Sequence, residues 1–466
     1  MQVSDQKMLN WCRMLLGAEP APHNTLGDYL GAIPRLKALE NVPRGTVVLV
    51  RGDVDAKPGA KIGEGDERLR SMVSTLKFGI EQGWKQIVFG HIGRKPEGSL
   101  NKVAARLGEL LGRKVPLVSD WLDEGTNKIT TAVADAVRNS QPGDVLVLEN
   151  TRRYVIERVL WDATPHDLPG LAPKLASLTN EFATKIATVY VNEALSAGSL
   201  DSSSAIIPAA MDRVALGNYV GGEFDGPMQR CLKASLVVFS GLKTDKLDDL
   251  QAMIDRGTIR WVITAGSLAM ALKKAAAEID GKQFCLGVAE DPAHAEKPYF
   301  IARERIAQAR GMIEAGRKKG IQFVLPVDFI LQDGRASETI GPGDQQFDVG
   351  PKTSEFFSQK VGAFIATAKS SAGASDSKPV AFHNGVFGMF EDPRFEAGTK
   401  NFIGQLKRMK AAGVEVYVGG GEGGAALEKY GQPDWVTHCF TAGGTVLNAL
   451  GSNPVPYLLA LSMATR

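Results

Sequence analysis

The residues best equipped for chemistry gather just after short apolar runs. Beyond "VVLV" the chain reads "RGDVDAKP", placing Arg51, Asp53 and Asp55 within five residues. Arg68 follows the loop "GEGDE", His91 and Arg94 follow "QIVFG", and Arg152 and Arg153 follow "VLVLEN". Guanidinium groups form bidentate hydrogen bonds with carboxylates and phosphates, so four such sites imply a small anionic ligand. A second set is rich in glycine. It comprises "SGLKTDK" with Gly241, Lys243 and Lys246, "TAGS" with Gly266, "HNGVFGMFE" with Asn384 and Glu391, and "GGGEGGA" with Gly420, Gly421, Glu422 and Gly423. Free backbone N–H groups at a helix start bind phosphate, and glycine lets the phosphate come close. The first βα turn lacks G-x-G-x-x-G, and no Walker A sequence is present. No Ser or Cys with a partnered base stands in either set. Phosphoryl transfer needs alignment and charge neutralisation more than covalent chemistry, and is compatible with that absence.

These residues need elements to hold them. Apolar runs at "TVVLV", "QIVFG", "VPLV", "DVLVLEN" and "TVYVNE" alternate with helical stretches such as "SLNKVAARLGELLG". There Val103, Leu107, Leu110 and Leu111 share a face and Ser99 is placed to cap. Nearly continuous apolar strands alternating with helices predict parallel sheets covered on both faces, whose ligands bind beyond the strands' carboxyl ends. The rhythm pauses over residues 217–234, read as a helical connection, and resumes with "SLVVFSG", "RWVITAG", "IQFVLPVDFI", "PVAFHNG", "VEVYVGGG" and "THCFTAGG". The expected fold is α/β, with two Rossmann-like domains joined by a hinge. Residues 1–225 form the first, 226–450 the second, and 451–466 a tail packing back on the first. "KSSAGASDSKP" reads as a surface loop.

Composition narrows the function. The chain has 466 residues, 44% apolar and 23% charged, with a formal net charge of +2. That balance excludes nucleic-acid binding through bulk charge. Four scattered cysteines, Cys12, Cys231, Cys285 and Cys439, read as free thiols in a reducing compartment, and six scattered histidines exclude a dedicated zinc site. In "DQKMLNWCRMLLG" the residues Met8, Trp11, Cys12 and Leu15 predict a docked amphipathic helix rather than a leader, and no stretch suits a membrane span. A cytoplasmic protein is expected.

Taken together these motifs resemble the phosphoglycerate kinase family, in order and over nearly the whole chain. The family carries R-x-D-x-N, S-H-L-G-R-P, L-E-N-x-R-F, V-N-D-A-F-G-x-A-H-R, G-G-A-K-x-x-D-K, L-P-x-D, N-G-P-x-G-x-F-E, G-G-G-D-T and S-T-G-G-G. This chain answers with "RGDVD", "GHIGRK", "LENTRR", "VNEALSAGSL", "SGLKTDK", "LPVDF", "NGVFGMFE", "GGGEGGA" and "FTAGGT". The resemblance implies reversible transfer between ATP and the carboxylate of 3-phosphoglycerate, in glycolysis, gluconeogenesis or carbon fixation, with Mg2+, hinge closure and a monomeric enzyme. By position, Arg51, Asp53, Asp55, Arg68, His91, Arg94 and Arg152 resemble the acid-binding cluster. Lys243 matches the lysine that stabilises the transferring phosphoryl group, with Arg68 beside it. Lys246, Gly241, Gly266, Asn384, Glu391, Gly420, Gly421 and Gly423 resemble the nucleotide site. Glu422 stands where the family has the aspartate associated with magnesium.

The departures fall mostly on the acid side. Ser199 and Leu200 replace a histidine and an arginine, Asp201 adds an acid, and Asp55 replaces an asparagine. One lost charge-assisted contact costs about 1.5–3 kcal/mol, roughly tenfold to a hundredfold in affinity. Arg153 and Lys95 are the nearby cations that would compensate. On the nucleotide side Gly423 replaces a threonine, and "TAGS" is poorer in glycine than the family's turn. Two alternatives follow: a kinase of another carboxylate, or a catalytically weakened nucleotide-binding paralogue.

Overall fold

The structure is a computed structural model describing residues 2–241, 246–371, 378–451 and 454–466. The chain divides into two compact units, Met1–Asp225 with Asn453–Arg466, and Gly226–Ser452. In the first unit the strands are β1 (Val47–Gly52), β2 (Lys85–Phe89), β3 (Leu117–Val118), the hairpin pair β4 (Leu122–Asp123) and β5 (Lys128–Ile129), β6 (Val145–Leu148), β7 (Val189–Glu193) and β8 (Arg213–Leu216). Six of them form a parallel sheet in the order β3-β6-β2-β1-β7-β8. Val50 of β1 stands opposite Val88 on one side and Val191 on the other. These side chains are buried because helices cover both faces, which is why the strands read as unbroken apolar runs.

The second unit repeats the plan. Its strands are β9 (Leu236–Gly241), β10 (Trp261–Ala265), β11 (Gln322–Val324), β12 (Phe329–Leu331), β13 (Ala336–Ser337), β14 (Gln346–Val349), β15 (Val380–Asn384), β16 (Glu415–Val418) and β17 (His438–Cys439). Six form a parallel sheet, β11-β10-β9-β15-β16-β17, while β12, β13 and β14 make a small antiparallel sheet. The fold is thus α/β with two parallel sheets covered by helices, as the alternation predicts.

Local details follow from side-chain chemistry. The helix Asp5–Leu15 starts at Ser4, whose Oγ accepts from the Lys7 N–H, and buries Met8, Trp11, Cys12 and Leu15. Trp11 Nε1 donates to the Ala205 carbonyl at 2.8 Å, fixing the helix to the first unit. The helix Pro456–Ala464 is apolar all round and buries Tyr457, Leu458 and Leu461 in that unit. The pause over 217–234 contains the helices Asn218–Asp225 and Pro227–Cys231.

Two expectations change. The helix expected to start after Ser99 runs over Asn101–Leu111 with Leu100 at its N-cap. Ser99 Oγ still accepts from the Asn101 N–H at 3.3 Å, while its own hydroxyl donates to the buried Glu149 Oε2 at 2.8 Å. The stretch read as a loop from Lys369 begins inside the helix Pro351–Ser371, and residues 372–377 lie outside the described residues.

All four cysteines are free thiols, and burial pushes the Cys12 thiol up to about 12. Among the described residues no helix is long and apolar enough to cross a membrane.

Candidate active site

The parallel arrangement sends β1, β2, β6 and β7 out at one edge of the first sheet, and their following residues meet there. Arg51, the fifth residue of β1, is buried. Its Nε donates to Ser203 Oγ, one Nη to the Gly52 carbonyl and the other to His91 Nδ1, each at 2.8 Å. Because Arg51 donates, His91 Nδ1 is the acceptor. Burial pulls the His91 pKa below its ordinary value, favouring the neutral ring. Arg152 follows β6 and donates to the Gly93 carbonyl at 2.7 Å.

The centre of this group is Asp201. Its Oδ2 lies 3.2 Å from Arg152 Nη2, 3.3 Å from His91 Nδ1 and 3.6 Å from Arg51 Nη2, while Trp161 Nε1 donates to Oδ1 at 2.9 Å. Exposure is 1% for Arg51, 5% for His91, 6% for Arg152 and 0% for Asp201. Burial is the largest influence on Asp201 and opposes its ionisation. The charges of Arg152 and Arg51 outweigh it and hold the carboxyl below the usual carboxylate range. Beneath it Glu157 accepts from the Ser203 hydroxyl at 2.5 Å and from the Ser203 N–H at 2.9 Å. Burial, and then the charge of Asp201, push Glu157 up to about 7.

The other acid-side residues form a second tier. Asp55 accepts from Arg68 Nη1 at 3.0 Å and from the Gly93 N–H at 2.8 Å, which lower its pKa against the opposing effect of burial. Asp53 is fully buried, accepts from the Ser196 hydroxyl at 2.6 Å and lies 3.8 Å from Arg68 Nε. Gly93 therefore joins the two tiers, its N–H to Asp55 and its carbonyl to Arg152. Arg94 and Lys95 are exposed and make no ion pair among the described residues. Arg153 does not join the cluster, since it pairs with the buried Glu149 at 3.7 Å. Ser199 is exposed and Leu200 half-buried.

In the second unit the ends of β9, β10, β15 and β16 carry the glycine set. Gly266 follows β10 with φ +67°, and an added Cβ would stand 2.8 Å from the Gly241 carbonyl oxygen, so only glycine fits this close approach. Asn384 ends β15, largely buried, and its amide has no hydrogen-bond partner among the described residues. Gly420 and Gly421 precede the helix Glu422–Tyr430, where Gly423 is buried and Glu422 exposed. Lys246 opens the helix Lys246–Asp255, and its Nζ donates to the Ser240 carbonyl at 3.0 Å. Glu391 is exposed in the loop after β15 and makes no contact with these groups that the structure records. Lys243 lies outside the described residues.

Among the described residues no three acidic, His or Cys side chains cluster as a metal cage. Glu422, a single exposed carboxylate beside a phosphate-suited helix start, fits the way Mg2+ is usually held, by one or two carboxylates together with substrate phosphates.

The family model for phosphoglycerate kinase matches residues 39–453. The chain belongs to the phosphoglycerate kinase family. A phosphoglycerate kinase of Bifidobacterium adolescentis is 31% identical over 440 residues, covering 90% of this chain and 97% of its own. The cytosolic phosphoglycerate kinase of Triticum aestivum is 28% identical over 441 residues, covering 90% and 96%. Among solved structures, phosphoglycerate kinase from Pyrococcus horikoshii aligns with a TM-score of 0.70 at 21% identity, over 93% of this chain and 99% of its own. That from Coxiella burnetii gives 0.64 at 22%, over 91% and 98%. The fold is therefore that of phosphoglycerate kinases, in a divergent member. Glu157, Trp161 and Ser203 are the cluster residues that motif reading misses. The one available signal was Asp201, an acid immediately after the two positions that lack the family's cations.

Proposed function

We propose that this protein is a phosphotransferase that moves the γ-phosphoryl group of ATP reversibly onto the carboxylate of a small acid, giving an acyl phosphate and ADP. In that step a carboxylate oxygen bonds to the γ-phosphorus. The bond from phosphorus to the β,γ-bridging oxygen breaks, and ADP leaves with the electron pair. No proton moves and no covalent enzyme intermediate forms. The observation that carries the reading is the family match over residues 39–453, which spans both sets of strand ends.

On the acid side Arg68 and Arg94 are the cations proposed to meet the reacting carboxylate. Arg68 is tethered by Asp55, and Arg94 is uncommitted among the described residues. On the nucleotide side the N–H groups of Gly420 and Gly421, the Asn384 amide and Lys246 are proposed to hold the phosphates, with Gly241, Gly266 and Gly423 leaving room for close approach. Lys243 is proposed to neutralise the transferring oxygens. Mg2+ held by Glu422 would neutralise charge on the nucleotide phosphates. The proposed setting is the cytoplasm, in line with the wheat and Arabidopsis relatives named cytosolic, and the proposed state is a monomer.

The test incubates the protein with MgATP and a panel of acids headed by 3-phosphoglycerate, trapping acyl phosphate with hydroxylamine. Hydroxamate formation that disappears in Lys243→Ala supports the reading. ADP release and hydroxamate no greater than in that variant, for every acid, would sink it. Where the acceptor itself is concerned, the buried Asp201 favours the expectation of an acid other than 3-phosphoglycerate.

A further inference from the structure

Parallel sheets bind ligands beyond their strand ends, and three basic groups at one such edge should form an anion site. Here most of their nitrogens are already engaged, with Arg152 Nε the buried exception that has no partner among the described residues. All the nitrogens of Arg51 are engaged, with Ser203, Gly52 and His91, and both terminal nitrogens of Arg152 are engaged, with Gly93 and Asp201. Asp201 is completely buried and touches all three basic groups. Trp161 closes the arrangement from outside, its ring 4.7 Å from the Arg152 guanidinium and its N–H on Asp201. Glu157, through Ser203, adds a second acid on the inner side. A ligand phosphate would have to displace a carboxylate that two arginines and a tryptophan hold, and would meet repulsion from that carboxylate and from Glu157.

We propose that Asp201 is a built-in anion filling the site where Arg51, His91 and Arg152 converge, so that the acceptor is a small carboxylic acid whose far end is uncharged, such as a hydroxy acid lacking phosphate. The proposal rests on the carboxylate-kinase reading above and assigns its substrate class. Asp201 acts as a specificity-determining residue: it satisfies the cations from within and excludes a second anionic group. Half-buried Leu200 and exposed Ser199, adjoining it, supply no positive charge to hold such a group. Arg94 is left to meet the reacting carboxylate, with Arg68 held beside it by Asp55 and Asp53.

A matched pair of acids tests this, because glycerate and 3-phosphoglycerate differ only in the phosphate. With the full chain and MgATP, hydroxamate trapping should give kcat/KM at least roughly tenfold higher for glycerate than for 3-phosphoglycerate. In Asp201→Asn the ratio should shift at least tenfold toward 3-phosphoglycerate. Calorimetric titration with 3-phosphoglycerate and with inorganic phosphate gives a second readout that needs no turnover. Wild type should bind both at least tenfold more weakly than Asp201→Asn does. Wild type that prefers 3-phosphoglycerate, or binds inorganic phosphate as tightly as the variant, overturns the proposal. The wild-type preference decides even if the variant fails to fold. Absence of hydroxamate with every acid would instead overturn the kinase reading, and the calorimetry would still decide the role of Asp201.

Discussion

Replacing Asp201 tests the buried cluster through stability. In wild type the carboxylate is fully buried, and its neighbours Arg51, His91 and Arg152 are almost fully buried too. Asp201→Ala strips the counter-ion from two buried guanidiniums and leaves the Trp161 N–H without its acceptor. Removing one partner of a buried ion pair costs about 3–5 kcal/mol, a large part of the roughly 5–15 kcal/mol that holds a typical domain. Asp201→Asn keeps the shape and one acceptor oxygen, so its cost should be smaller, about 2–3 kcal/mol. The sign with pH follows from the depressed pKa of Asp201. Its contribution is fully present above the unfolded value of about 4 and is lost as pH falls through the lower folded value. The gap between wild type and variant should therefore be widest near neutrality and narrow below about pH 4. Urea titration followed by tryptophan fluorescence reads this for the first unit, which holds Trp11, Trp84, Trp121 and Trp161. Inorganic phosphate should restore stability to Asp201→Asn, by about 2.7 kcal/mol at a hundred times its dissociation constant, and should stabilise wild type by about 1.4 kcal/mol or less at the same concentration. A loss under about 0.5 kcal/mol in Asp201→Ala, or equal phosphate effects on both proteins, would refute the coupled buried cluster.

Three other outcomes test separate parts of the structure. Glu157, raised to about 7, binds its proton more tightly in the folded state, so its contribution is present below the unfolded value of about 4.3 and is lost as pH rises to 7. Glu157→Gln should flatten the fall in stability between pH 4.3 and 7, read from urea midpoints, and an unchanged slope would contradict the assignment. Gly266→Ala forces a side chain into a left-handed backbone against the Gly241 carbonyl. It should cost about 1–3 kcal/mol and weaken ATP binding at least roughly tenfold by calorimetry, and wild-type affinity would argue against this strand end as the nucleotide site. Trp11→Ala removes a buried ring and its hydrogen bond to Ala205, and should lower stability by about 3–5 kcal/mol in thermal melts without altering ATP affinity.

What the sequence determined is the part of the protein governed by local repetition and chain order. Continuous apolar runs such as Val47–Val50 and Val145–Leu148 mark strands buried on both faces, because a parallel sheet covered by helices leaves them no polar side. The spacing of Met8, Trp11, Cys12 and Leu15 defines a helix face because 3.6 residues per turn brings them into line. Motif order places Arg51, His91 and Arg152 at strand ends.

Tertiary structure decided where the irregular segments between those elements send their side chains. Arg152 and Arg153 are adjacent in a short turn, yet one reaches Asp201 and the other pairs with Glu149. No periodicity governs a single 3-10 turn, so the sequence could not choose between them. Arg51 and Ser203 stand 152 residues apart, and they meet only because β1 and β7 are neighbours in the sheet. From composition Asp201 was one added acid. Three strand ends converging in a buried space make it the counter-ion of the whole cluster, since buried cations must find an anion and the fold supplies one from within.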